Sequence, residues 1–330
     1  MAALELSSKA FSEDPPTSPL GEDLFGMDLC CGPTRCDSDY SSRFVAALFD
    51  GRVDLHGKVA LASVSGRELS SLVAAFASPQ LPFVALCGED GLAGLDPRLL
   101  ARNGGSIHLA AVRGGPAAAE KLERGSAGLM IGPRQILPLG AGTPARFCGR
   151  ALLLVSMLIK ARRGIAGELY LAVPPDDAEA VATALWVWRW GLPFTGLIIP
   201  EPERGLLEGS RRNADDSRTG LYERFIVEHP SSSLLLRVPV SGSDLERLGS
   251  LPSPWDDSDD YLTRHALAAS RLALDSGLDG HARIVLPRFT ADLGALPRAG
   301  YSTLALCTPD FTTEADPAEF GVRLRRQMGL

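Results

Sequence analysis

Short unbroken apolar runs alternate along this chain with longer stretches in which apolar residues recur every three or four positions. The pattern is clearest between Gly167 and Arg204. Leu169 to Val173 is apolar throughout and Pro174-Pro175 stops it, which predicts a strand buried on both faces. Asp176 and Glu179 then stand at capping-box spacing. Val181, Leu185 and Trp188, with Ala184 and Trp186 widening the stripe, predict a helix with one broad covered face. Gly191 ends that helix, and Pro193 leads into a second strand from Phe194 to Ile199. A strand, a helix and a strand joined by short loops predict a right-handed crossover between parallel strands.

The same alternation runs through the rest of the chain. Further strands are predicted at Lys58 to Val64, Pro82 to Cys87, Ile107 to Val112, Ala127 to Ile131, Leu234 to Val240 and Ala282 to Leu286, with a last candidate ending at Leu304 to Cys307. Helix starts are marked by Ser65 with Glu68, Asp96-Pro97, Pro116, Thr143-Pro144, Ser243 with Glu246, Asp259 and Asp316-Pro317. Gly132 to Gly142 reads as irregular.

Strands alternating with helices imply a parallel sheet covered on its faces. A (β/α)₈ TIM-barrel-like fold is favoured because the units continue evenly to the C-terminus; an open doubly wound sheet is the alternative. Residues 1–40, rich in Ser, Pro, Asp and Glu, read as a disordered or loosely docked tail. Residues 41–330 read as a single α/β domain with charged, turn-rich insertions at about 202–232 and 250–258.

Composition narrows the function classes. A net charge of −7 argues against a nucleic-acid or anionic-membrane surface. The longest apolar run, Ala151 to Ile159, is too short for a membrane span, and no secretory signal is visible, so a cytoplasmic setting is expected. The six cysteines follow no disulfide framework, and Cys30, Cys31 and Cys36 read as plain thiols. The only lysines are Lys9, Lys58, Lys121 and Lys160, so Schiff-base chemistry would have to use one of these, and none is well placed. No Gly-x-Gly-x-x-Gly follows the first strand, and no nucleophile elbow, zinc-peptidase motif or Walker loop occurs. No cofactor and no metal are expected.

Ligands of parallel α/β proteins bind at the C-terminal strand ends. Glu89, Arg113, Arg134, Glu201 and Arg288 follow predicted strands without a capping role, whereas Ser65, Asp176 and Ser243 are explained as caps. Arginine forks suit phosphate or carboxylate, and Glu201 or Glu89 could move a proton. His108 and Arg237 lie inside strands, where a buried arginine needs a carboxylate or a polar cavity. The expectation is an enzyme for a small anionic metabolite, a lyase or isomerase with Glu201 and Glu89 as catalytic groups and Arg113, Arg134, Arg237, Arg288 and His108 holding the anion. The alternative is a non-catalytic member of an assembly, with the tail, the helix carrying Trp186, Trp188 and Trp190, and the Pro202 to Ser232 insertion as contact surfaces; a homo-oligomer or a protein partner would use the Trp helix.

Overall fold

The computed structural model describes residues 11, 15–32, 37–49, 55–63, 71–72, 75, 81–88, 107–140, 143–163, 167–174, 178–192, 194–203, 234–250, 261–278, 282–288 and 309–330. Its strands are β1 (Thr17–Pro19), β2 (Leu24–Asp28), β3 (Lys58–Ser63), β4 (Phe83–Gly88), β5 (Ile107–Val112), β6 (Met130–Ile131), β7 (Arg134–Pro138), β8 (Leu169–Ala172), β9 (Gly196–Pro202), β10 (Leu235–Val240), β11 (Arg283–Arg288) and β12 (Phe311–Thr313). Its helices are α1 (Ser38–Phe49), α2 (Gly115–Gly125), α3 (Pro144–Arg162), α4 (Ala178–Arg189), α5 (Gly242–Leu248), α6 (Tyr261–Asp275) and α7 (Pro317–Gln327).

The described strands do not close into an eight-stranded barrel. They form two open six-stranded sheets, in the orders β12-β5-β4-β3-β7-β6 and β1-β2-β11-β8-β9-β10. Local alternation of strand and helix is common to barrels and open sheets, so the pattern that suggested a barrel was read correctly but pointed to the wrong closure. The chain divides into two compact units. Unit 1 comprises Met1–Glu13, Gly32–Arg150 and Tyr301–Leu330, and unit 2 comprises Asp14–Cys31 and Ala151–Gly300.

In unit 1, β12, β5, β4, β3 and β7 run parallel, and only the short β6 is antiparallel. Alternate residues of its strands feed two cores. Val59, Leu61, Val84, Leu86, Ala110 and Val112 pack with Leu122 of α2 and with Phe320 and Leu324 of α7. Ala60, Ala62, Phe83, Ala85, Cys87 and Leu109 pack with Val45 of α1 on the other face. Burial on both faces is why the centres of these strands, Val59–Ala62, Phe83–Cys87 and Leu109–Val112, are apolar.

In unit 2, β2, β11, β8, β9 and β10 run parallel, with β1 antiparallel at one edge. Ala172, Ile198, Val240, Ile284 and Leu286 pack with Ala266, Leu267 and Ala269 of α6 and with Leu245 of α5. β2 lies within the stretch expected as tail, and Leu24 and Met27 are buried there. β7 lies in the stretch read as irregular.

The helix boundaries follow their caps. Asp316 accepts from the Ala318 amide at 2.9 Å, and Pro317 follows it, as the sequence signal predicts. Before α5 the capping box is made by Ser241 and Asp244, not by Ser243 and Glu246. Both pairs have the required spacing, and the chain takes the earlier one because β10 ends at Val240. No described helix is long and apolar enough to cross a membrane.

Candidate functional site

An open parallel sheet offers a ligand crevice outside the carboxyl ends of its strands, where successive connections depart in opposite directions. Among the described strands each sheet changes the direction in which its strands are laid down, and the chain leaving β7 and β11 passes to the other unit. In unit 1, β3, β4 and β5 are laid down in order to one side while β7 lies on the other, which puts the switch point between β3 and β7. In unit 2, β8, β9 and β10 run to one side while β11 lies on the other, so the switch point falls between β8 and β11.

The two crevices carry opposite charges. At the unit 2 switch point stands Arg288, the last residue of β11, buried and in register with Asp28 at the end of β2. Its Nη1 lies 3.6 Å from Asp28 Oδ2. The other Asp28 oxygen accepts from the Cys30 amide at 2.8 Å, and the Cys30 thiol donates to the Arg288 carbonyl at 3.5 Å. The loop leaving β2 is thereby pinned to the end of β11. A guanidinium is a donor-only fork that matches carboxylate and phosphate oxygens, so this position suits an anion.

At the unit 1 switch point stands Glu123 of α2, also buried. Its Oε2 accepts from the Ser63 amide at 2.8 Å and from the Ser63 hydroxyl at 2.5 Å, and its Oε1 accepts from the Gly140 amide at 2.6 Å. Ser63 ends β3, and Gly140 follows β7, so one carboxylate ties both sides of the reversal. A β-carbon added at Gly140 would overlap the Glu123 carboxylate as it stands, so glycine allows this close approach.

The residues singled out from sequence are scattered over both units. Arg288 is at a switch point. Glu201 and Arg237 do meet, Arg237 Nη1 donating to Glu201 Oε1 at 3.0 Å, but both are about half exposed on β9 and the edge strand β10. Arg237 thus has its carboxylate, with no enclosed barrel interior around it. Arg113 forms an exposed pair with Glu314 at 2.9 Å. Arg134 opens β7, and because β6 is antiparallel, the end of β6 that it follows lies at the amino ends of the parallel strands. His108 is the second residue of β5, its Nδ1 4.0 Å from Asp310 Oδ2, and burial holds its pKa below the ordinary imidazole value against an opposing pull from Asp310. Glu89 lies outside the described residues.

Glu123 and Asp28 were not anticipated. Asp28 fell within the presumed tail. Glu123 did leave a trace: it follows Ala119 and Leu122 at i+4 and i+1, on the stripe of α2 that packs on the sheet.

No protein-family model matches the chain, and no curated protein matches its sequence. Solved structures do. Threonine synthase from Escherichia coli aligns with a TM-score of 0.65 at 16% identity, covering 98% of this chain and 82% of that one. PLP-bound threonine synthase from Brucella melitensis aligns at 0.62 and 14%, covering 98% and 83%. Maize serine racemase aligns at 0.54 and 12%, covering 90% and 95%. At such identities the likeness concerns the fold alone.

That fold raises the question of pyridoxal 5′-phosphate, which enzymes hold as an imine of a lysine amine. The described lysines do not fit the role. Lys58 opens β3, at the amino ends of the strands, and donates to Gln135. Lys121 is exposed on α2. Lys160, in the last turn of α3, donates to the Pro15 carbonyl at 3.4 Å, beside the edge strand β1. From β1 to the β8–β11 crevice is between two and three strand spacings, roughly 10–14 Å. Lys9 lies outside the described residues. In unit 1, moreover, the switch-point amides already face a carboxylate, which repels a phosphate.

Proposed function

We propose that this chain binds a small anionic metabolite at the unit 2 switch point, with Arg288 as the anion-holding group, and that it does so without a lysine imine. The observation that carries the reading is a buried arginine at the carboxyl end of β11, where the described strands of this sheet reverse their order. The neighbouring folds support the ligand class, since threonine synthase and serine racemase are named for amino acids, which carry a carboxylate.

The finer expectation of lyase or isomerase chemistry has less behind it. Glu201, half exposed on β9, is engaged with Arg237 of the edge strand β10. A binding protein on an enzyme-type scaffold is the second reading, and the placement of Lys58, Lys121 and Lys160 favours it. Trp190, half exposed with its ring 5.1 Å from that of Trp186, gives such a protein a contact surface on α4 and the turn after it.

The test is a thermal-shift series of the full chain with amino acids, dicarboxylates and phosphorylated metabolites, run on wild type, Arg288→Ala and Arg288→Lys. A ligand that binds the native state raises Tm by mass action. We expect a saturable shift in wild type that Ala abolishes and Lys weakens, because an ammonium lacks the planar fork. A shift unchanged in both variants would overturn the assignment. In parallel, borohydride treatment of protein mixed with pyridoxal 5′-phosphate, followed by peptide mapping, is expected to give only substoichiometric labelling of exposed amines such as Lys121; a single reduced adduct at stoichiometric yield would restore the imine.

A further inference from the structure

The Glu123 carboxylate is held by three donors, from the end of β3 and from Gly140 after β7, that any compact oxyanion could also satisfy. We propose that the Ser63 and Gly140 amides and the Ser63 hydroxyl form an oxyanion-binding site in unit 1, and that Glu123 is its built-in occupant. The ligand class is a small carboxylate or other compact oxyanion, admitted only when Glu123 is withdrawn.

Four observations converge. The donors sit at the β3–β7 reversal, the position where open parallel sheets take ligands. Two of the three are backbone amides, and fixed main-chain donors recognise an anion's geometry, whatever molecule carries it. Among the described residues the partners of Glu123 are neutral groups, so its burial is offset by directed hydrogen bonds and not by a counter-charge. The donors are also held independently of Glu123. The Leu139 amide donates to the Leu61 carbonyl at 2.6 Å, the Thr143 amide and hydroxyl both donate to the Gly140 carbonyl, at 2.9 and 2.7 Å, and Ser63 is in register with Leu86 in the sheet. Removing the side chain therefore leaves the donors aimed at a space of carboxylate size. The inference concerns unit 1 alone and does not depend on Arg288.

Chemical rescue tests it. Glu123→Ala deletes the carboxylate and opens the space; Glu123→Gln keeps the volume but turns an amide N–H₂ against one of the donors. Thermal unfolding of the full chain is followed in formate and acetate titrations, each matched by chloride at equal ionic strength. We expect Glu123→Ala to be destabilised in chloride and to recover saturably in formate or acetate, with no such gain in wild type or in Glu123→Gln. If Glu123→Ala does not fold in chloride, refolding is repeated in formate and acetate, and recovery there supports the site. Equal responses to all anions, an equal gain in wild type, or a Glu123→Ala chain that stays unfolded in formate and acetate as in chloride would each overturn it.

Discussion

Unit 1 and unit 2 lay out their sheets by the same plan and put opposite charges where the plan reverses. In each, strands laid down in order run to one side and a later strand lies on the other. Unit 1 brings Glu123 to that point and surrounds it with neutral donors; unit 2 brings Arg288 and sets Asp28 beside it in register. The reversal is a backbone property, whereas the charge depends on which single side chain a helix or a strand end delivers. A fold-level likeness therefore says where to look and leaves the chemistry to be read from the residues. Here that reading separates a closed acceptor from a candidate receptor, within one chain whose neighbours by fold include a PLP-bound threonine synthase.

The largest effect that sharpens this contrast is expected at the unit 2 pair. Arg288→Ala leaves Asp28 facing a desolvated space and should cost about 3 kcal/mol in urea unfolding, moderated because Asp28 is partly exposed. Replacing both residues with alanine should cost less than the sum of the singles. Additive costs would mean that the two side chains do not act as a pair, and the comparison with the self-contained Glu123 site would lose its basis.

How much of this was legible in the sequence differs by element. The strand runs at Leu169 to Val173 and Lys58 to Val64 were visible because burial on both faces keeps their centres apolar. The Asp316-Pro317 helix start was visible because a cap is local chemistry. The barrel expectation had no such anchor, since sheet closure depends on pairings such as β2 with β11, more than 250 residues apart in the Ile284–Leu24 register. The same distance hid the site. Asp28 acquires meaning only when β2 is laid beside β11, and Glu123 only when α2 crosses the ends of β3 and β7. Arg288 could be chosen because a lone arginine after an apolar run is conspicuous without a partner. Arg134 failed by the same logic, because an antiparallel β6 turned its strand end around.

A smaller effect separates the switch points from the strand edge. Glu201 and Arg237 make a shorter ion pair than Arg288 and Asp28, at 3.0 against 3.6 Å, yet both are half exposed. Solvent screening and side-chain entropy should hold their coupling to about 0.2–1 kcal/mol in a double-mutant cycle, falling further in high salt. Neither single variant should change the thermal shift produced by an anionic ligand. A ligand response lost in Arg237→Ala but kept in Arg288→Ala would move the receptor from the reversal to the edge, and the contrast between the two units would have to be redrawn.

The smallest effect is a dependence on pH, and it probes the end of unit 1 away from its switch point. Burial disfavours the charged form of His108, and Asp310 only partly offsets this, so the folded protein binds the proton less readily than the unfolded chain does. The sign follows from linkage. Where the unfolded state holds more protons, stability rises with pH, so the contribution is fully present above the ordinary imidazole pKa of about 6.5 and fades as pH falls through the folded value. His108→Gln should flatten the stability profile over that range. Asp310→Asn, which removes the carboxylate charge near Nδ1, should steepen it. Because the Asp310 side chain also accepts from the Leu109 amide at 2.7 Å, asparagine is the informative replacement: its carbonyl oxygen can keep that bond while the charge is lost. A profile that steepened in His108→Gln would show that the imidazole is charged in the folded protein, and would make the His108–Asp310 pair an ion pair in its own right.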